Sequence, residues 1–395
     1  MRQLIAALLA ASVFAAPLSG QSLKPNEIMS TIAVHGQSEA HPVLGSDNRV
    51  HLAYELMITN PSNLFVTIDK VEAIDPAGKS LETMSGEALA RMTTRYSGSN
   101  NLLAPGQAAI VFMDVSFAAG DKLPRSVLAK VGVTRQADSD GKPVAYPSGG
   151  PLTITSTFTG APVKVGAAAR RIAAPLRGGG WLAVNGCCDS ITSHRGAIIA
   201  VNGRQNVPER FAIDWIQIDK SRRMYVGDGK KLSDYAFYGV PIHSVADGVV
   251  VNLYDGADEQ VPLEPAKGLS PASIGGNMMV VDIGGGAYAF YAHFQRGSLK
   301  AKLGDRVTKG QMLGLLGNTG NSDAPHLHFH LMDGTIPLNS NGLPFVIDRF
   351  SSDGVLPHDQ IDPMFDGKAV TLDLRRKGQH VDQLPLDNEV SDFGE

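Results

Sequence analysis

Pro325-His326-Leu327-His328-Phe329-His330 alternates imidazole with apolar side chains at strict two-residue spacing. Only an extended strand turns that alternation into two distinct faces. Successive side chains of a strand point to opposite sides of a sheet, so the three histidines share one face and Leu327 and Phe329 share the other. Burial of the apolar pair fixes the strand against a core and presents the imidazoles together in a groove. Neutral imidazole is a common zinc ligand and a general acid or base near neutral pH. A histidine-rich edge strand without chemistry is the plain alternative.

The rest of the chain fits a protein built from strands. Its 43 Gly and 23 Pro with 6% aromatic residues favour turns and short strands. Convincing amphipathic helices and internal repeats are absent. The 395 residues suffice for two domains at roughly 150 residues each. A formal net charge of −4 and the lack of a basic stripe argue against nucleic acid as a partner. Met1-Arg2, an apolar run from Leu4 to Ala16, and small residues to Gly20 read as a cleaved signal peptide over residues 1–20. That run is too short to span a bilayer, and no cysteine follows it for lipid attachment. A periplasmic or secreted protein without stable membrane insertion is expected.

Residues 22–165 read as a β-sandwich. Strands are expected at His51–Ile58, Leu64–Ile74, Ala108–Phe117, Ser126–Thr134 and Leu152–Phe158, with turn residues between them. A linker and lead-in over 166–190 precedes a second β-rich domain over 191–350. The segment 351–395 is polar and charge-rich and reads as a peripheral or partly disordered tail. The only cysteines, Cys187 and Cys188, are adjacent. A bridge between neighbours closes a strained ring, so two reduced thiols are favoured.

Within the second domain, Arg210-Phe211-Ala212-Ile213-Asp214 is followed by Ala246-Asp247-Gly248-Val249-Val250. Then come Tyr291-Ala292-His293, Gly304-Asp305-Arg306-Val307-Thr308-Lys309-Gly310-Gln311, Gly317-Asn318-Thr319-Gly320 and the histidine strand. This ordered set resembles the lysostaphin/LytM-type zinc metalloendopeptidases, peptidoglycan-cleaving enzymes, over about residues 205–335. The resemblance implies an all-β fold: antiparallel sheets around a narrow groove, with zinc as cofactor and peptidoglycan peptides as substrate. It matches Asp214 and His328 to metal ligands, and His293 and His326 to the residues that flank the metal-bound water and stabilise the transition state.

One family ligand is missing: the histidine four residues before the aspartate is Arg210 here. A guanidinium stays protonated and cannot bind zinc, and it is placed to neutralise Asp214 as a salt bridge. The preferred substitute is His194, about 20 residues upstream. His330 shares the right face but lies a full pleat repeat, ~7 Å, beyond His328. Tyr291, His330 and Asn321 are candidates for the substrate groove. Two readings follow: an exported zinc metalloendopeptidase cutting peptidoglycan stems or cross-links, or a catalytically silent domain that binds the wall or answers to a protein regulator. A phosphotransfer carrier also uses paired histidines, but its donors are cytoplasmic and the signal peptide opposes it.

Overall fold

The computed structural model describes residues 29–95, 101–136, 139–140 and 155–395. The signal-peptide segment and Leu152–Ile154 lie outside the described residues. The described chain is all-β, its strands paired almost entirely antiparallel.

Two sheets face each other in the N-terminal part. One is centred on Arg49–Thr59 paired along its length with Ala108–Ala118, the other on Phe65–Ile74 paired with Ser126–Gln136. Ser126–Gln136 buries every second residue, the signature of one face on a core and one toward solvent. Arg49–Thr59 is instead buried on both faces from His51 to Ile58. Its inner face meets the second sheet and its outer face meets the C-terminal part.

An eleven-stranded antiparallel sheet forms the C-terminal part among the described residues. At its centre, Tyr288–Phe294 pairs with Leu327–Met332, which pairs with Ile213–Gln217, which pairs with Trp181–Val184. Leu327 and Phe329 are fully buried, each contributing roughly 1.5–3 kcal/mol of apolar burial. The strands expected from the alternation are observed, with ends shifted by a residue or two.

Three expectations are corrected. The segment read as a linker is built into the fold: Arg170–Ile172 pairs in parallel with Phe345–Ile347, and Trp181–Val184 is an interior strand of the large sheet. The segment read as a polar tail supplies Phe350–Val355 and Glu389–Asp392, which pair with each other. Glu389–Asp392 also pairs with Trp181–Val184. Its charged composition misled because Glu389 and Ser391 are buried polar residues. Cys187 and Cys188 are joined by a disulfide, not reduced, and both are buried.

Candidate metal centre and groove

The register of three strands assembles the site. Asp214 sits directly opposite His328 in the antiparallel pair, and Ala292 sits opposite His328 on the other side. Directly opposed residues share a face, so the aspartate and the central histidine meet without any loop. Asp214 Oδ1 lies 2.9 Å from His328 Nδ1.

The third member comes from a turn. His194 lies in the turn after the Cys187–Cys188 pair, where Gly196 N–H bonds to the Thr192 carbonyl at 2.9 Å and Thr192 Oγ1 donates to the Asn185 carbonyl at 2.9 Å. His194 Nδ1–H donates to the Ala212 carbonyl at 3.0 Å. This leaves Nε2 facing Asp214 Oδ2 at 3.2 Å. His194, Asp214 and His328 thus offer two imidazole nitrogens and one carboxylate oxygen within 4.8 Å of one another. Two nitrogens and one oxygen converging with a side open to the groove is a donor set suited to zinc.

Two further imidazoles border this trio. His293 Nδ1–H donates to the Thr319 carbonyl at 2.6 Å, which leaves its Nε2 as a bare acceptor. His326 Nδ1–H donates to the Ala324 carbonyl at 2.8 Å, and its Nε2 lies 3.4 Å from Asp214 Oδ1. The two rings are 4.4 Å apart, centre to centre.

The charges follow from this geometry. Burial alone would raise Asp214, but the adjoining His194 and His326 outweigh it and hold the carboxyl well below its usual range. Burial opposes a charged His194, yet the Asp214 carboxylate prevails and raises it to about 9. His326 is raised against its burial, again by Asp214. His293 moves the other way: burial, reinforced by His326 and His328, holds it well below the ordinary histidine value.

A groove of about 1150 Å³ opens over these residues. Asn185, His194, Asp214, His293, His326 and His328 line it, and Ile199, Val201, Phe290 and Ile336 supply apolar walls. Asn321 also lines it.

Two groove expectations fail. Tyr291 is fully buried, its hydroxyl accepting from the Val245 N–H at 2.9 Å, and it packs on Phe329 on the core side of the strand. Two-residue spacing on a regular strand would put Tyr291 and His293 on one face. His293 has φ +68°, a left-handed conformation that breaks the alternation and swings the imidazole to the groove side. His330 keeps its face but is buried beneath Phe290, 1% exposed, and does not line the groove. Its Nδ1 lies 2.9 Å from His328 Nε2. Facing a carboxylate, His328 Nδ1–H donates to Asp214 Oδ1, so its Nε2 accepts from His330 Nδ1–H. His330 therefore braces His328 from behind and is no substitute donor. Burial and the neighbouring His328 hold His330 well below the ordinary value, which keeps it neutral for that role.

Arg210 does not neutralise Asp214. It turns away, and its Nε donates to both oxygens of Glu55 in the sandwich at 3.1 Å. Asn185 and Glu209 also belong to the site. Asn185 Nδ2 donates to Asp214 Oδ2 at 2.9 Å, and Glu209 Oε1 lies 4.0 Å from His328 Nε2. For Asn185 the available signal was an Asn-Gly pair just ahead of the cysteines, where Asn tolerates the observed φ of +60°.

Comparison with known proteins finds relatives for the part of the chain that carries the histidine strand. Residues 230–340 match the sequence model of Peptidase family M23. Over 110 residues the chain is 30% identical to the glycyl-glycine endopeptidase ALE-1 of Staphylococcus capitis, covering 27% of this chain and 26% of the relative. Over 109 residues it is 30% identical to the peptidoglycan DD-endopeptidase ShyA of Vibrio cholerae serotype O1, covering 27% and 21%. The chain thus spans about a quarter of the length of these relatives. Among solved structures, the catalytic domain of lysostaphin from Staphylococcus simulans aligns at 20% identity over 42% of this chain and 86% of its own, with a TM-score of 0.23. A putative peptidase M23 from Pseudomonas aeruginosa aligns at 16% identity over 67% of this chain and 86% of its own, with a TM-score of 0.22. The family match takes in His293, His326 and His328, while His194 and Asp214 lie upstream of it. Residues 230–340 of this chain are a domain of peptidase family M23.

Proposed function

We propose that this protein is an exported zinc metalloendopeptidase that hydrolyses peptide bonds in peptidoglycan stems or cross-links. The observation that carries the reading is the convergence of His194, Asp214 and His328 within 4.8 Å on the floor of a groove that His293 and His326 also line. The names of the relatives support the substrate class, since both are endopeptidases and one is named for peptidoglycan. The amino-terminal run of apolar residues supports export.

His194 Nε2, an Asp214 oxygen and His328 Nδ1 would hold the metal. When bound, zinc lowers the pKa of a bound water and polarises the scissile carbonyl. This chain's own residues do the rest. His293 presents a bare Nε2 and takes a proton from the attacking water. His326, whose protonated form Asp214 favours, donates to the oxygen on which negative charge develops. The apolar walls hold an extended peptide and exclude water.

The test is metal content after purification without added zinc. Stoichiometric zinc, lost in His328→Ala, supports the enzyme, together with release of soluble fragments from purified peptidoglycan. Native protein without zinc sinks the reading and leaves a wall-binding or regulatory role.

A further inference from the structure

We propose that Glu55, a residue of the N-terminal sandwich, is a positioning residue for the metal centre, so that the site is incomplete without the sandwich. This rests on His194, Asp214 and His328 being the metal donors.

Glu55 is 0% exposed on the outer face of Arg49–Thr59, and it meets two buried arginines of the C-terminal part. Arg210 donates to it through Nε, at 3.1 Å from each oxygen, and through Nη2. Arg210 also donates from Nη1 to the Glu39 carbonyl at 2.9 Å and from Nη2 to the Ser38 hydroxyl. Arg195 Nη2 lies 3.8 Å from Glu55 Oε1 and donates to the Met113 carbonyl of the sandwich at 3.1 Å. Its Nη1 donates to the Cys188 carbonyl.

Each arginine is joined by a short stretch of backbone to a donor. Arg195 follows His194 directly. Arg210 precedes Ala212, whose carbonyl fixes the His194 tautomer, and Asp214 itself. One carboxylate therefore ties down both chain segments that bring His194 to Asp214. The His194 turn contributes no strand to the large sheet. The guanidinium standing at the vacant ligand position is thus half of the clamp that holds the replacement ligand. A buried carboxylate between two guanidiniums has no water to replace a lost partner, so loss of its charge releases both segments together.

The experiment uses the full-length protein freed of metal and reloaded with Co²⁺, whose visible spectrum reports ligand number and geometry, and zinc affinity measured against a chelator. Wild type should bind one Co²⁺ with the intense bands of a four-coordinate ion. Glu55→Gln keeps the size of the side chain and should weaken zinc about ten- to a hundredfold, the usual effect of removing a residue that orients a ligand, and should weaken those bands. Should Glu55→Gln fail to fold, Arg195→Lys takes its place: it keeps a charge, loses the fork, and is expected to show the same loss. A fold control is Val131→Ala in the core of the other sandwich sheet, which should lose thermal stability while keeping its zinc affinity. Unchanged affinity and spectrum in the folded clamp variant overturn the proposal, as does an equal loss in Val131→Ala. If wild type takes up no Co²⁺, or if His194→Ala binds zinc as tightly as wild type, the donor assignment itself fails, which distinguishes that failure from failure of the clamp alone.

Discussion

At the level of single residues, the proposed metal donors and proton carriers of the groove differ in what each imidazole does with its second nitrogen. His194 commits Nδ1 to a backbone carbonyl and keeps Nε2 for Asp214, whereas His328 turns Nδ1 to Asp214 and rests Nε2 on His330. Among the described residues, His293 has no carboxylate partner. Its replacement by Ala should therefore cut turnover of a peptidoglycan peptide about 10²- to 10⁴-fold while zinc content stays stoichiometric; loss of zinc would mean that it is a donor. His194→Ala should lower zinc affinity by tenfold or more without unfolding the protein, measured by chelator competition. The alternation of Pro325–His330 exposed the shared histidine face in the sequence, and the proximity of His194 pointed to a turn that faces Asp214. Glu55 was beyond reach, because nothing local marks a carboxylate as the partner of an arginine 155 positions away.

At the level of elements, period-two patterning located the strands because each has at least one face on a core. It failed where backbone conformation departs from the strand. The positive φ of His293 reversed the faces of Tyr291 and His293, and no feature of Tyr291-Ala292-His293 marks that reversal. The same patterning undervalued Glu389–Asp392, whose polar residues are buried in pairing with Trp181–Val184. The Gly317–Gly320 turn offers a test of how the elements hold His293. A Cβ on Gly320 would lie 2.1 Å from the Gly276 nitrogen, and the residue has φ +78°. Gly320→Ala should cost more than the roughly 1–2 kcal/mol of left-handed backbone alone and displace the neighbouring Thr319 carbonyl. The expected outcome is a lower melting temperature with a larger fall in kcat than in zinc affinity.

At the level of the whole molecule, the sandwich and the groove domain are joined by buried charge. Restoring the family's ligand by Arg210→His should destabilise the fold by about 3–5 kcal/mol, because it strands Glu55 without its partner. Urea denaturation would detect this, and an unchanged midpoint would refute it. His51 adds a pH dependence in the sandwich. Burial opposes its charge, but hydrogen bonds to Asp114 and Asp47 outweigh it and raise it from 6.5 to about 9. The stabilisation is thus fully present below pH 6.5 and lost as pH rises through 9. It amounts to roughly 3 kcal/mol. A His51→Gln variant should show a flatter stability profile between those limits in thermal melts.

The pairing of Glu389–Asp392 with Trp181–Val184 places a late segment of the chain two strands from Asp214. Without Glu389–Asp392, Trp181–Val184 would present an open edge with unpaired backbone groups, next to the strand that carries Asp214. A chain cut before residue 389 would keep every histidine of the groove yet lose the strand that backs it. Proteolytic clipping there is therefore expected to loosen the site without removing any of its side chains.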